Sequence, residues 1–200
     1  MPEISRQEFE RLPLRVHEFL AGVPLHDVWA VDLPRMRSGI TLDDFLRASG
    51  ARPFRPSPVV RALLSIRFFV GGLFDWDRES DATVRRTFAT RLTTTDISKS
   101  LVPAGTREGP FRLVYRFENE QLLELSNRTA HAAALSALAE TSSAYRFYFA
   151  VYVRSVGRWT PLYMAFIDPF RKLIVYPSLL RSVCATWNQT FGTAENAEGP

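Results

Sequence analysis

The sequence predicts an α+β domain, and three patterns carry that prediction. Phe111 to Glu118 and Tyr145 to Arg154 alternate apolar and polar side chains with a period of two, as strands with distinct faces do. Arg158 to Trp187 places Leu162, Phe166, Phe170, Leu173, Leu180 and Val183 on a broad apolar face at helical spacing. The chain order is a strand, two helices, a block of antiparallel strands, then a long terminal helix.

Residues 1–25 mix charged and apolar side chains around Pro13 and Pro24 and read as an arm with one or two short elements. His26 to Leu33 reads as a strand. Val28, Ala30 and Asp32 share one face; Trp29, Val31 and Leu33 share the other. Thr41 can cap a helix whose first turn holds Asp43 and Asp44, and Gly50 ends it. After a proline-rich link, Ser57-Pro58 opens a second helix with Val59, Leu63, Ile66, Val70 and Phe74 on one stripe. Thr93-x-x-Asp96 is a short capping signal. Pro103, Gly105 and Gly109-Pro110 mark a loop.

Phe111, Leu113, Tyr115 and Phe117 are expected on one face of the next strand, opposite Arg112, Val114 and Arg116. Glu118-Asn119-Glu120 is the turn into a strand over 121–129, with Leu123 and Leu125 on one face. Residues 130–139 are in conflict: six alanines favour a helix, and a place between two strands favours a strand. In the strongest strand, Tyr145, Phe147, Phe149, Val151 and Val153 oppose Arg146, Tyr148, Ala150, Tyr152 and Arg154. Pro169 and Pro177 should kink or break the terminal helix. The polar tail over 188–200 is expected to be flexible.

With 200 residues, 46% of them hydrophobic, the chain can bury a sizeable core without disulfides. Aromatic side chains make up 12% of it, led by 15 Phe. The net charge is +4. Only Lys99 and Lys172 are lysine, so 23 of the 25 basic side chains are arginine. These arginines are dispersed, and no zinc-finger or RNA-recognition spacing accompanies them, which argues against nucleic acid as a partner. Cys184 is the lone cysteine, so an internal disulfide is impossible; it reads as a buried structural thiol. His17, His26 and His131 lack metal-ligand spacing, and no phosphate loop or nucleophile elbow is present. No metal or cofactor is expected. The N-terminus lacks a signal-peptide pattern, and the longest apolar region, residues 59–74, carries Arg61 and Arg67. A cytoplasmic location without a membrane span is the default expectation.

Three segments carry a family likeness: Ser100 to Phe111 (SLVPAGTREGPF), Tyr115 to Glu120 (YRFENE) and Thr160 to Pro177 (TPLYMAFIDPFRKLIVYP). The last is the most specific, because Asp-Pro-Phe-Arg within an apolar terminal helix is unusual. Residues 26–187 resemble the helix-grip domain of START-like proteins, also called SRPBCC or polyketide-cyclase-like. The local sequence is similar to an uncharacterised bacterial branch that is sometimes fused to short-chain-dehydrogenase-like domains. The resemblance implies a curved antiparallel sheet wrapped around the long C-terminal helix, and a strand over 130–139. His131, Ala133, Leu135, Ala137 and Ala139 would then share a face and leave room for a cavity. It implies no catalytic motif.

The expected function is binding of an apolar or amphipathic small molecule in a cavity between sheet and terminal helix. The candidate ligand-binding residues are Tyr115, His131, Tyr148, Tyr152, Asp168 and Arg171. Each has a plainer reading. His131 is either a cavity base or a hydrogen-bonded structural histidine. The tyrosines are either pocket hydroxyls or strand packing. Asp168 with Arg171, spaced i, i+3, is either a pair at a pocket mouth or a local ion pair. A cyclase, dehydratase or isomerase using the same cavity, and an interaction protein with a filled core, are the alternatives.

Overall fold

A computed structural model of the chain describes residues 3–50, 87–126, 130–155 and 160–192. The helix expected after Ser57 lies outside the described residues, as do 193–200 of the tail; 188–191, expected to be flexible, instead continue the terminal helix. Two short helices, α1 (Arg6–Glu10) and α2 (Val16–Phe19), precede β1 (Leu25–Pro34) and α3 (Leu42–Ala48). A 3-10 turn (Phe88–Arg91) and α4 (Thr94–Lys99) lead into β2 (Arg107–Glu108), β3 (Phe111–Arg116), β4 (Glu120–Ser126), β5 (Ala130–Glu140) and β6 (Ala144–Ser155). The terminal helix consists of α5 (Thr160–Phe170), a π-helical turn (Arg171–Val175) and α6 (Tyr176–Phe191).

Local chemistry explains the short helices. Thr41 caps α3 and Thr93 caps α4, each through a capping box in which an aspartate three residues on bonds back to the cap. The six strands form one curved antiparallel sheet in the order β1-β6-β5-β4-β3-β2. The first strand of the sequence thus closes against the last.

The alanine-rich segment is a strand, paired along its length with β4 and β6. Ladder bonds on both sides override the helical preference of alanine. One sheet face carries Val28, Ala133, Leu135, Tyr148, Ala150 and Tyr152 and is covered by the N-terminal arm through Phe9, Val16 and Phe19. The other face carries Trp29, Leu33, Phe147, Phe149 and Val151 and receives α3 and the terminal helix through Phe45, Leu180 and Trp187. The core therefore has two layers, one on each side of the sheet.

Two sequence expectations are corrected by these faces. The set His131, Ala133, Leu135, Ala137 and Ala139 does share a face, but that face looks at the N-terminal arm, away from the terminal helix. In β3 the expected alternation fails because a bulge shifts the register between Leu113 and Tyr115. Leu113 pairs with Leu123 and Tyr115 with Leu122, so the two lie on opposite faces.

The terminal helix runs on through both prolines, with a π turn between them. Pro169 and Pro177 cannot donate to the preceding turn, and the chain between them widens. The backbone N–H of Tyr176 donates to the carbonyl of Arg171, a five-residue step instead of four.

Candidate functional site

Two backbone irregularities meet at one edge of the sheet. At the start of β1 the register shifts between Leu25 and Asp27, so His26 is the extra residue of a bulge. Across from it runs the π-helical turn of the terminal helix. A β-bulge re-aims a side chain, and π turns recur at functional sites. In an ordinary α-helix, residues five apart point about 140° away from each other. The wide turn brings Arg171 and Tyr176 together instead, and the guanidinium donates to the tyrosine hydroxyl.

The result is a five-residue cluster. Nε2 of His26 lies 2.9 Å and 3.0 Å from the two carboxylate oxygens of Asp168. Nη1 of Arg171 donates to Asp168 Oδ1 at 2.9 Å, and its Nη2 reaches Asp27 Oδ2 at 3.3 Å. Tyr176 donates its hydroxyl to the same Asp27 oxygen at 3.4 Å. Asp27 is the deepest member, with a side chain 0% exposed. Burial pushes its carboxyl above the ordinary aspartate range, against the pull of Arg171 and His26. Burial also raises the Tyr176 hydroxyl, which stays protonated.

Two polar atoms here lack partners. Oδ1 of Asp27 and Nε1 of Trp29 are buried without a hydrogen bond among the described residues. Unsatisfied buried groups are rare and call for a reason. Asp27 and Trp29 are two apart on one strand, on the face that meets the terminal helix.

Beside the cluster the apolar layer is slightly less closed. Along the helix-facing side of β6, Tyr145 and Phe147 are 0% exposed, whereas Phe149, Val151 and Val153 are each 9% exposed. Ala132 and Ala134, on the adjacent central strand, are only half-buried on the same face. Ala132 and Ala134 present only methyl groups on this face, so this part of the layer is less tightly covered than that around Tyr145 and Phe147.

The six sequence-predicted residues divide between the two faces. Asp168 and Arg171 join the cluster. Tyr115, His131, Tyr148 and Tyr152 lie under the N-terminal arm. His131 bonds to Glu124 through Nε2 at 3.1 Å and stacks on Phe88 with ring centres 3.9 Å apart. Glu124 also accepts from the Phe88 backbone and the Thr87 hydroxyl. Burial pushes the Glu124 carboxyl up, but these bonds outweigh it and the net direction is down. This is a structural anchor for the 3-10 turn. Tyr115 is packed between Phe19 and Phe117. Tyr148 contacts Phe9. His26, Asp27 and Tyr176 were not singled out in the sequence. The one available signal was Asp27 within a strand otherwise rich in apolar residues.

A separate cleft of about 650 Å³ separates the arm from the β3–β4 turn, walled by Leu14, Arg15, Asp96, Phe117 and Glu120. Three of its charged groups are used internally: Arg15 pairs with Asp96, and Glu120 accepts backbone bonds from Arg15 and Val16. It is a seam that fastens the arm.

Residues 19–178 match the family described as "Protein of unknown function (DUF2867)", a span of well over half the chain. The chain belongs to the DUF2867 family. No curated protein and no solved structure matches it. The curved sheet with its terminal helix makes this DUF2867 chain compatible with the helix-grip plan that the sequence resembles. The Asp-Pro-Phe-Arg segment and Tyr176 both fall inside the matched span. Among the described residues of this DUF2867 protein, no helix is long and apolar enough to cross a membrane.

Proposed function

We propose that this protein binds a small amphipathic molecule between the sheet and the terminal helix. The molecule's apolar body lies in a trough over Ala132, Ala134, Val151 and Val153. Its polar head meets Asp27 and Trp29. The observation that carries this reading is the coincidence of two buried, unpartnered polar atoms with a neighbouring stretch of the helix-facing layer that is less fully covered. Binding sites combine apolar walls with a few placed polar groups. Asp27 Oδ1 suits a hydroxyl when ionised and a carbonyl oxygen when it carries the carboxyl proton, and Trp29 Nε1 suits an acceptor. Within the cluster, Arg171 and Asp168 hold Asp27 and His26 in place.

Naphthol, an aromatic body with one hydroxyl, is a suitable fluorescent probe, and decanol is its aliphatic counterpart. Saturable binding of either is expected. Ala134→Phe fills the trough and should weaken binding by about tenfold or more while leaving the unfolding midpoint nearly unchanged. Equal binding by the wild-type and Ala134→Phe proteins, or no binding of either probe, overturns the reading.

A further inference from the structure

We infer that the cluster at the π turn is an acid–base site that moves a proton within a bound carbonyl compound, with His26 as base and Asp27 as acid. The inference rests on the proposed binding site and assigns it chemistry.

The geometry starts with His26. Both Asp168 oxygens face its Nε2, at 2.9 Å and 3.0 Å. A carboxylate can only accept, so it holds the tautomer that carries the proton on Nε2. The lone pair of Nδ1 is then available as a base. The His26 side chain is 26% exposed, so a small molecule can reach it. Its ring stands next to Asp27, with Nε2 3.9 Å from Oδ2.

Asp27 supplies the second function. Its Oδ2 is taken by Arg171 and Tyr176, while Oδ1 is buried and unpartnered. Burial raises its pKa against the pull of Arg171 and His26, and the unpartnered Oδ1 is where a proton would sit. A protonated carboxyl in an apolar site can hold a carbonyl oxygen through its proton. Base and acid thus sit on adjacent residues at the head of one strand, each fixed by the terminal helix.

The step balances without a co-reactant. Nδ1 of His26 takes a proton from the carbon next to the carbonyl. The C–H electron pair becomes the C=C bond of an enol as the carbonyl π pair moves onto oxygen. That oxygen takes the Asp27 proton. On return, the Asp27 carboxylate recovers the proton and the imidazolium gives its own to carbon. Delivery to the original carbon gives exchange; delivery to the far end of a conjugated enol gives an isomer. The substrate class is therefore an apolar ketone or aldehyde with an enolisable C–H. Asp168 acts through His26 as a positioning residue.

Acetylnaphthalene in deuterated water tests this, with methyl deuteration read by mass spectrometry and binding read by fluorescence. Positioned acid–base groups are worth about a hundredfold or more, so His26→Ala and Asp27→Leu should each lose about that factor at saturating ketone, with binding kept by His26→Ala and weakened by Asp27→Leu. Added imidazole should restore part of the His26→Ala rate, a recovery that a merely structural role would not give. Asp168→Asn should lower the exchange rate without weakening binding. His26→Gln, with a retained unfolding transition, guards against a folding defect. Ketone bound without exchange above solution overturns the acid–base inference and leaves the binding proposal standing. No bound ketone, together with no bound naphthol or decanol, removes both.

Discussion

Asp168 and His26 lie 142 positions apart in sequence, yet the carboxylate of one is 2.9 Å from Nε2 of the other. The contact joins the first strand to the terminal helix at the point where both depart from regular geometry. Arg171 donates to the same carboxylate, so Asp168 holds two partners at once.

Asp168→Asn keeps the side-chain shape but offers one acceptor oxygen and a donating amide. The wild-type ring should show the Nε2–H tautomer by nitrogen NMR, and the variant should show a mixture of tautomers. Both partners are about a quarter exposed, so the stability loss should be modest, about 1 kcal/mol. An identical tautomer in both proteins would remove the carboxylate as the element that sets it.

His131 makes the opposite prediction, because the sheet separates it from the trough. It is 1% exposed, bonds to Glu124 and stacks on Phe88. His131→Ala deletes a buried ring and removes one of the three donors to the Glu124 carboxylate. The expected loss is about 2–4 kcal/mol in urea unfolding. Naphthol affinity of the folded variant should match that of the wild type. A specific loss of affinity, with stability retained, would place His131 at the ligand after all.

Much of the fold was legible because it follows from local periodicity. The faces of β1 and β6 come directly from alternation, and the caps at Thr41 and Thr93 need only a few neighbouring residues. The parity of β3 was not legible, because a bulge at Leu113–Tyr115 is set by pairing with β4 and not by the strand's own pattern. Residues 130–139 needed the same long-range knowledge: their alanines favour a helix until two flanking strands supply the ladder. The site was half-visible. Asp168 and Arg171 share a helical spacing that a sequence displays. His26, Asp27 and Tyr176 reach them only through sheet closure and a widened helical turn, and neither leaves a local signature. The face assigned to the pocket was also reversed. The alternate set of alanines, Ala132 and Ala134, meets the terminal helix.

Glu120 gives a pH test of how the N-terminal arm is held. Its carboxylate accepts the backbone N–H of Arg15 at 2.8 Å and that of Val16 at 3.4 Å, gripping the start of α2. Burial raises its pKa from 4.5 to about 7. The folded protein therefore holds this proton more tightly than the unfolded chain does. The associated stability is fully present below pH 4.5 and is lost as pH rises through about 7. A shift of that size corresponds to about 3 kcal/mol across the window. Asp96 works in a separate window. Its bond from Arg15 holds it down at about 2, so its contribution is present above 3.8 and fades only in stronger acid. Urea unfolding of the wild type and Glu120→Gln at about pH 5 and about pH 8 isolates the Glu120 effect. The glutamine keeps an acceptor for the α2 amides but cannot ionise, so the wild type should lose stability relative to the variant at the higher pH. A constant difference between the two proteins would mean that Glu120 ionises in the folded state as it does in the unfolded chain, and that its carboxylate does not feel the burial that its place beneath the arm imposes.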